Sequence, residues 1–460
     1  MMRTDYFSEY YGFIDQFLAD YTTRLQETHA DIYKLGEYCA QLPVISYLHL
    51  ACAAWGWREI YIRARKEGKS QRAVKNSFSS WLDTCYPCDK PVVGSTALKP
   101  LKTYEFYREM RTYRRQPMIY LREMDQLEYL IPLTEQFDQP VTVISELNIR
   151  RPDFPGHVAY LKTNIFEKEC YSNSFLKQNF SPLFNFFNKF DLLLQMINPS
   201  CIIVLDGNHY QDHILSLIGK KYAVPTVAIQ QQWPLPMCSG FRQMAYDYYL
   251  TWGEYFNPLW KKYSRLPRYV SVGHGQVAVP VKEKNKITFF VDPPVCIDAD
   301  AYYRELTVLI ENCAQDSPEQ QFWIKDINGR RLPDEYQKEI LAYPNVNSAN
   351  CYSLPEIYSQ TELAVSYFTH VLVESMVHDC IPLILEAGVD FSYYPDLEEE
   401  RVGLMAPDMS AALGKISGFI DDSVQREKIR VDFRKGKVKL FRATANEAAR
   451  NISTFIKKIS

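Results

Sequence analysis

The sequence of 460 residues is poor in glycine and has no long apolar run. Its 18 glycines are about 4% of the chain, against a usual ~7%, which excludes collagen-like repeats and glycine-rich linkers. No stretch of 18 or more consecutive apolar residues occurs, so no transmembrane helix is predicted. The first residues, MMRTDYFSEYYGF, lack the basic start and apolar stretch of a signal peptide. We therefore expect a cytoplasmic location.

The charge balance and the cysteine pattern argue against two further classes of protein, those that bind nucleic acid and those that hold a structural zinc. The 52 Lys and Arg stand against 55 Asp and Glu, a net charge of −3, so there is no global basic field and nucleic acid is not an expected partner. The 11 cysteines are odd in number and scattered, with a single Cys-x-x-Cys at Cys85 and Cys88. Zinc sites of this type need a second pair. Free thiols in a reducing compartment are therefore predicted.

Short apolar runs alternate with helical patterns from about residue 115. In the first half these runs cover 117–123, 140–146, 201–208, 225–232, 246–253 and 268–275. A polar, lysine-rich break at 280–286 follows, and the alternation then resumes with runs at 286–292, 320–326, 362–368 and 380–388. Continuous apolar strands separated by helices are typical of parallel sheets covered on both faces.

The predicted fold class is α/β, with two tandem Rossmann-like domains and an N-terminal helical region. We predict the helical region over 1–110, the first Rossmann-like domain over 111–280, the second over 281–440 and a C-terminal helix over 441–460. Ligands of open α/β sheets bind outside the carboxyl ends of the strands. Chemistry is therefore expected from residues that follow a strand.

The N-terminal helical region contains a basic segment. Between Trp57 and Phe78 it carries seven Lys and Arg against two Glu. Such a segment is typical of a solvated helix face. It is also compatible with an anionic partner, such as a membrane surface or a charged glycolipid.

Three segments resemble the GT-B glycosyltransferases, in particular the bacterial surface-polysaccharide group that includes capsule, polysialic acid and retaining β-Kdo transferases. These segments are 202–234, 247–256 and 366–384, and the resemblance covers roughly 115–440. In the first segment, Gln231, Gln232 and Trp233 stand where the group usually has His-Gly. The resemblance implies the GT-B architecture, with the nucleotide-sugar donor bound by the second Rossmann-like domain and the acceptor on the side of the first.

The third segment contains the expected donor-binding residues. Ser366 and Thr369 precede a predicted helix that begins near His370. All three residues are expected to bind the donor, because a helix N-terminus attracts phosphate. Glu374, within that helix, is placed to accept a hydrogen bond from a ribose hydroxyl. The alternative is that Thr369 only caps the helix and that Glu374 is a surface residue.

Other donor-side residues depart from the group's pattern. The group usually has Lys-Pro-His-Pro after the second strand of the second domain, and here Lys325 matches the lysine but the histidine is missing. Arg330 and Arg331 could supply positive charge to a phosphate or a sugar carboxylate, or could lie in a solvated loop. His274 is expected at the interdomain edge, in contact with the ligand or as an ordinary loop histidine.

Two acids, Glu146 and Asp206, follow predicted strands of the first domain. As a pair they fit a retaining scheme, in which one carboxylate attacks the anomeric carbon and the other moves protons. An inverting reaction needs only one of them as base. Asp206 could instead belong to an Asx-turn. The same loops carry further candidates on the acceptor side: Asn208, His209, Gln231 and Gln232.

Metal-site and cofactor motifs are missing from the sequence. There is no Walker A, no G-x-G-x-x-G, no H-E-x-x-H and no D-x-D flanked by strands. His209 and His213 are four residues apart on a predicted helix, but no third ligand is evident. We predict no metal and no cofactor beyond the nucleotide-sugar substrate.

The sequence therefore predicts a metal-independent glycosyltransferase that uses a nucleotide-activated sugar. The resemblance implies CMP-Kdo as donor and a bacterial surface glycan or glycolipid as acceptor, as in capsule or lipopolysaccharide synthesis. The basic N-terminal region adds the expectation of peripheral contact at the inner membrane. Two alternatives remain open. One is a non-catalytic GT-B module that binds a glycan or a nucleotide sugar within an assembly complex. The other is a nucleotide-sugar epimerase.

Overall fold

The structure is a computed structural model, and its contacts divide the chain into two compact units. One unit comprises Ser8–Gln276 with Ala445–Ser460, and the other comprises Val277–Thr444 with the first seven residues. The structure describes residues 6–28, 34–35, 38–39, 41–54, 56–85, 113–147, 152–162, 181–231, 244–275, 283–291, 299–327, 331–367, 369–385 and 397–460.

Helices dominate the N-terminal region. The elements are α1 (Tyr6–Thr28), β1 (Lys34–Leu35), β2 (Tyr38–Cys39), α2 (Gln41–Ala54), α3 (Trp57–Lys66) and α4 (Gln71–Cys85), and β1 and β2 form a short antiparallel pair. Aromatic rings fill the space between the helices. Phe13 stacks on Tyr61 with centroids 4.9 Å apart, and Phe17 meets Phe78 edge-on at 4.7 Å. This packing holds α1 against α3 and α4.

A seven-stranded parallel sheet follows in the first unit. Its elements are β3 (Met118–Leu121), α5 (Gln126–Glu135), β4 (Val141–Ser145), β5 (Val158–Lys162), α6 (Ser181–Ile197), β6 (Ile202–Leu205), α7 (Tyr210–Lys221), β7 (Thr226–Ile229), β8 (Tyr248–Thr251), α8 (Phe256–Tyr263) and β9 (Arg268–Ser271). The strand order is β5-β4-β3-β6-β7-β8-β9. Strands β3, β4, β6 and β7 are buried along their whole length. This is expected for continuous apolar runs in a parallel sheet that is covered on both faces.

A six-stranded parallel sheet forms the second unit. Its elements are β10 (Lys286–Val291), α9 (Ala299–Asp316), β11 (Gln321–Asp326), α10 (Asp334–Ile340), β12 (Val346–Ser348), α11 (Leu354–Tyr358), β13 (Thr361–Ser366), α12 (His370–Val377), β14 (Ile381–Leu385), β15 (Leu404–Ala406), α13 (Met409–Asp421) and α14 (Ser423–Leu440). The strand order is β12-β11-β10-β13-β14-β15. The two parallel sheets and the N-terminal helices confirm the predicted fold class.

The last helix, α15 (Ala445–Ile459), returns to the first unit. Its buried residues Ala449, Ile452 and Ile456 join the hydrophobic core of the seven-stranded sheet. The amide of Asn451 donates to the carbonyl of Val272, just after β9, at 3.0 Å. The last helix therefore completes the core of the unit that contains the seven-stranded sheet.

Each sheet has one point where the strand order reverses. In the first sheet the chain starts at β3 and runs outward on both sides, so β3 lies between β4 and β6. In the second sheet β10 lies between β11 and β13 in the same way. Such switch points open a crevice at the carboxyl ends of the two central strands, where ligands of α/β proteins bind.

No described helix combines the length and the apolar character needed to cross a bilayer.

Close packing of α7 on β7 gives a stability prediction. A Cβ atom on Gly219 would lie 2.3 Å from Cγ2 of Thr226 and 3.1 Å from the carbonyl oxygen of Val224. We expect Gly219→Ala to lower the free energy of unfolding by ~1–3 kcal/mol through overpacking. Gly414→Ala in α13 is the matched control, because its Cβ would meet nothing within 4 Å and helix propensity favours alanine. Denaturant unfolding of both variants is the measurement, and a Gly219→Ala protein as stable as Gly414→Ala would contradict the packing.

Candidate functional site

The loop after β6 begins with a tight left-handed turn. Asp206 has φ 59° and Gly207 has φ 74°, so two successive residues adopt a conformation that only glycine takes freely. A Cβ on Gly207 would lie 2.9 Å from both the Cβ of Ala228 and the ring of Tyr246. Asp206 Oδ1 accepts a hydrogen bond from the backbone N–H of Gln231 at 2.7 Å. The turn is therefore fixed to the end of β7, and Asp206 is only 2% exposed.

A buried ion pair joins the two sides of the crevice between β3 and β6. Arg122, which directly follows β3, donates through Nη1 to Asp212 Oδ2 at 2.6 Å and through Nε to Glu123 Oε1 at 2.8 Å. Asp212 lies in the first turn of α7, and the same Oδ2 accepts from the backbone N–H of His209 at 3.2 Å. The guanidinium thus holds the start of α7 against the end of β3.

Burial determines the protonation of this cluster. It raises the pKa of the Asp212 carboxyl to about 6, although Arg122 opposes the shift. Burial also lowers the pKa of His209 to about 4, with Arg122 acting in the same direction and Glu123 against it. His209 is therefore neutral at pH 7 and can accept a proton. Its Nε2 lies 3.9 Å from Glu123 Oε1, and its side chain is 21% exposed.

Glu146, the second predicted acid, lies elsewhere along the same edge. Its carboxylate pairs with Lys189 of α6 and accepts from the hydroxyl of Tyr120 at 3.3 Å. It follows β4, which is separated from β6 by β3, so at ~4.8 Å per strand the two strand ends are roughly 10 Å apart. Glu146 is bound to Lys189 and Asp206 to Gln231. The structure therefore does not bring the two carboxylates together as a pair.

The predicted acceptor-side residues adjoin the N-terminal helices. The carbonyl of Asn208 accepts from the hydroxyl of Ser46 in α2 at 2.9 Å. The rings of Tyr47 in α2 and Tyr210 in α7 meet edge-on, with centroids 5.3 Å apart. Oδ1 of Asn208 is buried and has no hydrogen-bond partner among the described residues. Helix α2 therefore borders the crevice of the first sheet.

His274 packs within the first unit. It is buried, its ring centroid is 4.6 Å from that of Trp252, and it meets Tyr129 edge-on at 6.2 Å. Its carbonyl accepts from the backbone N–H of Ala445 at 2.9 Å, which ties the end of the sheet to α15. The described contacts of His274 are thus those of a core residue.

Ser366 and Thr369 lie at the switch point of the second sheet, where β13 leads into α12. The hydroxyl of Ser366 donates to the carbonyl of Phe290 at 2.8 Å and so joins β13 to β10. Thr369 occupies the N-cap of α12, but its side chain makes no capping hydrogen bond. Its hydroxyl is buried without a partner among the described residues, and the residue is 7% exposed. Thr369 therefore presents, at a helix N-terminus, a hydroxyl that no described residue uses.

The other predicted donor-side residues make contacts within the protein. Oε2 of Glu374 accepts from the hydroxyl of Tyr358 at 3.0 Å. Lys325 donates to the carbonyls of Asn350 and Tyr352, at 3.3 and 2.8 Å. Arg331 forms an exposed pair with Asp334. Arg330, Gln232 and the side chain of His370 lie outside the described residues.

Three residues of the crevice are absent from the sequence-based prediction: Arg122, Glu123 and Asp212. The sequence could have identified Arg122 and Glu123 as candidates, because they end an apolar run that predicts a strand. Asp212 carries no comparable signal, since its burial depends on how α7 packs. Within the described ranges, no group of three or more His, Cys, Asp or Glu side chains is arranged as a metal site.

Comparison with known proteins identifies the fold. No protein-family model and no curated protein sequence matches the chain. The crystal structure of UDP-GlcNAc 2-epimerase from Neisseria meningitidis bound to UDP-GlcNAc is similar, with a TM-score of 0.51, 13% identity and coverage of 75% of this chain and 99% of that chain. A UDP-glucosyltransferase from Polygonum tinctorium gives a TM-score of 0.50 at 9% identity, with 75% and 99% coverage. At such identities the similarity shows the GT-B fold alone.

Proposed function

We propose that the chain is a metal-independent glycosyltransferase that moves a sugar from a nucleotide-activated donor to a hydroxyl of a glycan or glycolipid. The observation that carries the proposal is the neutral, partly exposed His209 beside Glu123 at the switch point of the first sheet. A neutral imidazole next to a carboxylate can take a proton from a hydroxyl, although a pKa of about 4 makes it a weaker base than a free histidine. Two proteins of the same fold, the epimerase and the glucosyltransferase, are named for UDP-sugars, which supports a nucleotide-sugar substrate.

In the proposed step an acceptor hydroxyl attacks the anomeric carbon of the donor. The carbon–oxygen bond to the nucleotide phosphate breaks, and the phosphate leaves with the electron pair. The hydroxyl proton passes to His209, and Glu123 stabilises the imidazolium that forms. Burial opposes the ionisation of Glu123, but Arg122 lowers its pKa, so this carboxylate is charged at pH 7. One base suffices for this inverting reaction, which fits the separation of Glu146 from Asp206.

The donor phosphate is proposed to bind at the start of α12. An eight-residue helix begins there, and its positive dipole end favours a phosphate. The buried hydroxyl of Thr369 adds a hydrogen-bond donor that the described residues do not use. CMP-Kdo is the donor suggested by the resemblance in the sequence, and UDP-sugars are the alternative suggested by the two structures. Asp206 is proposed to position the loop that carries His209, because its carboxylate holds Gln231.

The acceptor is proposed to be large and close to a membrane surface. Arg63, Lys66 and Lys69 are exposed around the turn between α3 and α4. Basic side chains of this kind favour the anionic lipids of an inner membrane. Helix α2, in the same region, borders the crevice through Ser46 and Tyr47. Peripheral membrane contact is therefore part of the proposal.

Nucleotide release tests the proposal against its alternatives. We expect CMP release from CMP-Kdo, or UDP release from a UDP-sugar, to be faster with an acceptor glycolipid than without it. We also expect EDTA to leave the rate unchanged, because the helix N-terminus is proposed to meet the charge of the leaving phosphate. Loss of turnover on chelation, with recovery on adding Mg²⁺ or Mn²⁺, would contradict the metal-independent mechanism. Interconversion of the sugar on its intact nucleotide would favour an epimerase, and binding without turnover would favour a non-catalytic module.

Thr369→Val tests the donor site. The change removes a hydroxyl with no partner among the described residues, so we expect unchanged stability and a loss of ~1 kcal/mol in nucleotide binding, the value of one hydrogen bond. Ser366→Ala is the comparison, because it removes the bond to Phe290 and should lower the free energy of unfolding by about 1 kcal/mol. Titration calorimetry and denaturant unfolding measure the two effects. A Thr369→Val protein with unchanged nucleotide affinity would contradict the assignment.

His209→Gln and Asp206→Asn distinguish the two possible bases. We expect His209→Gln to lower kcat at least ~100-fold with little change in the donor KM, as for other positioned bases. Asp206→Asn should lower kcat less, because the amide oxygen of the new side chain could still accept from Gln231. Because the pKa of Asp212 is about 6 and that of His209 about 4, wild-type turnover should fall in two stages below pH 7: first as protonation of Asp212 weakens its pair with Arg122, and then as the His209 ring is protonated towards pH 4. The opposite ranking, with Asp206→Asn the more damaging change, would make Asp206 the base.

A further inference from the structure

Helix α14 carries a local excess of positive charge on a chain whose net charge is −3. Its 18 residues contain seven Lys and Arg but only two acids. The inner face of the helix is buried at Phe433, Gly436 and Leu440. A Cβ atom on Gly436 would lie 2.5 Å from Cγ1 of Val402, so the helix packs closely on the second unit. The opposite face of α14 is therefore held in a fixed position.

The basic side chains of α14 differ in what they contact. Arg430 Nε donates to Glu362 Oε1 at 2.6 Å, and Lys437 Nζ donates to the last carbonyl of α12 at 2.8 Å. Lys428 and Lys435 are exposed, and neither forms an ion pair with a described carboxylate. The packing of the unit thus accounts for Arg430 and Lys437 but not for the two exposed lysines.

Apolar side chains alternate with these two lysines along the outer face. Val424 and Val438 are 79% and 67% exposed, whereas valine is among the residues most often buried. The outer face carries five residues spaced by four, three, four and three positions: Val424, Lys428, Val431, Lys435 and Val438. This spacing places them on one side of the helix, over about 21 Å at ~1.5 Å per residue. We call these five residues the valine–lysine stripe.

The spacing of the stripe is that of a coiled-coil seam, with valine at three d positions and lysine at the two a positions between them. A partner helix lying along the stripe would place apolar residues against the valines and carboxylates against the lysines. A parallel second copy of α14 would set lysine against lysine, and an antiparallel copy would set lysine against valine. Neither copy supplies a carboxylate. A lipid surface fits less well, because helices that lie in a membrane interface insert larger side chains such as Trp, Phe and Leu.

A cavity of about 320 Å³ borders the first half of the stripe at Lys428. Its apolar lining comes from Leu404 and Ile429. Three basic and two acidic side chains also line it, and one of the acids is already paired with Lys415. Arg401 in this lining is exposed and forms no ion pair with a described carboxylate. The cavity therefore suits an anchoring side chain with an apolar stem and an acidic end, such as glutamate.

We propose that the valine–lysine stripe docks an acidic amphipathic helix of a partner protein. The apolar residues of that helix pack against the three valines, and its Glu or Asp side chains form ion pairs with Lys428 and Lys435. One further side chain of the partner enters the cavity beside Lys428. This contact is independent of the glycosyl transfer proposed above, because no residue of the stripe is among those assigned to the reaction.

Charge reversal on the stripe tests the proposal. The probes are two synthetic three-heptad peptides with leucine at the d positions and either glutamate or lysine at the a positions. We expect the wild-type protein to bind the glutamate peptide at least tenfold more tightly than the lysine peptide, measured by fluorescence anisotropy. Lys428→Glu combined with Lys435→Glu should reverse this preference. Val424→Ser combined with Val438→Ser should weaken binding of the glutamate peptide at least tenfold.

The matched control is Lys338→Glu combined with Lys458→Glu. It changes the net charge by the same amount, at two exposed lysines outside α14, and should leave both peptide affinities at their wild-type values. Because every altered side chain is exposed, we expect all variants to keep the wild-type Tm, so that a loss of binding is not a loss of fold. The readout is binding alone and does not depend on nucleotide or turnover.

Three results would overturn the proposal: neither peptide binds, Lys428→Glu with Lys435→Glu leaves the preference unchanged, or the control pair changes it as much. A dimer in sedimentation that Val424→Ser with Val438→Ser abolishes would overturn it in favour of a second copy. Vesicles of phosphatidylglycerol and phosphatidylcholine that bind through the same valines, while the peptides do not bind, would overturn it in favour of a membrane surface.

Discussion

Parallel pairing of β3 with β6 determines where the polar residues of the first unit meet. Because both strands run in the same direction, Arg122 and Asp206 emerge at the same edge of the sheet. The bond between Arg122 and Asp212 then holds the first turn of α7 against β3. The position of His209, its low pKa and its closeness to Glu123 all depend on this arrangement. Moving α7 would separate the imidazole from the carboxylate.

The second sheet repeats the geometry with different chemistry. At the switch point of the second sheet, hydroxyls stand where the first sheet has a charged pair. Ser366 joins the two central strands, and the Thr369 hydroxyl at the start of α12 has no partner among the described residues. A crevice with a neutral base suits a hydroxyl substrate, whereas a helix N-terminus suits a phosphate. The two units therefore have complementary properties, and this is the physical basis for proposing a reaction between a sugar phosphate and an alcohol.

The sequence predicts the middle of each sheet better than its edges. Strands β3, β4, β6, β7, β8, β9, β10, β11, β13 and β14 coincide with runs that predict strands. Among the parallel strands, β5, β12 and β15 have no prediction, and each lies at the edge of its sheet; the remaining edge strand, β9, is predicted. An edge strand has a neighbouring strand on one side only, so it is less buried. Its sequence is therefore shorter or less apolar, as in Val346–Ser348. Asp206 is predictable because it ends a buried run, but its bond to Gln231 and its burial depend on the packing of the loop, which no local pattern encodes.

The central claim is that a nucleotide binds at the start of α12, and a crystal structure with CMP or UDP tests it most directly. The account predicts phosphate oxygens within hydrogen-bond distance of Thr369 Oγ1 and of the first backbone N–H groups of α12. A nucleotide bound only at the carboxyl edge of the seven-stranded sheet, with the Thr369 hydroxyl untouched, would contradict it.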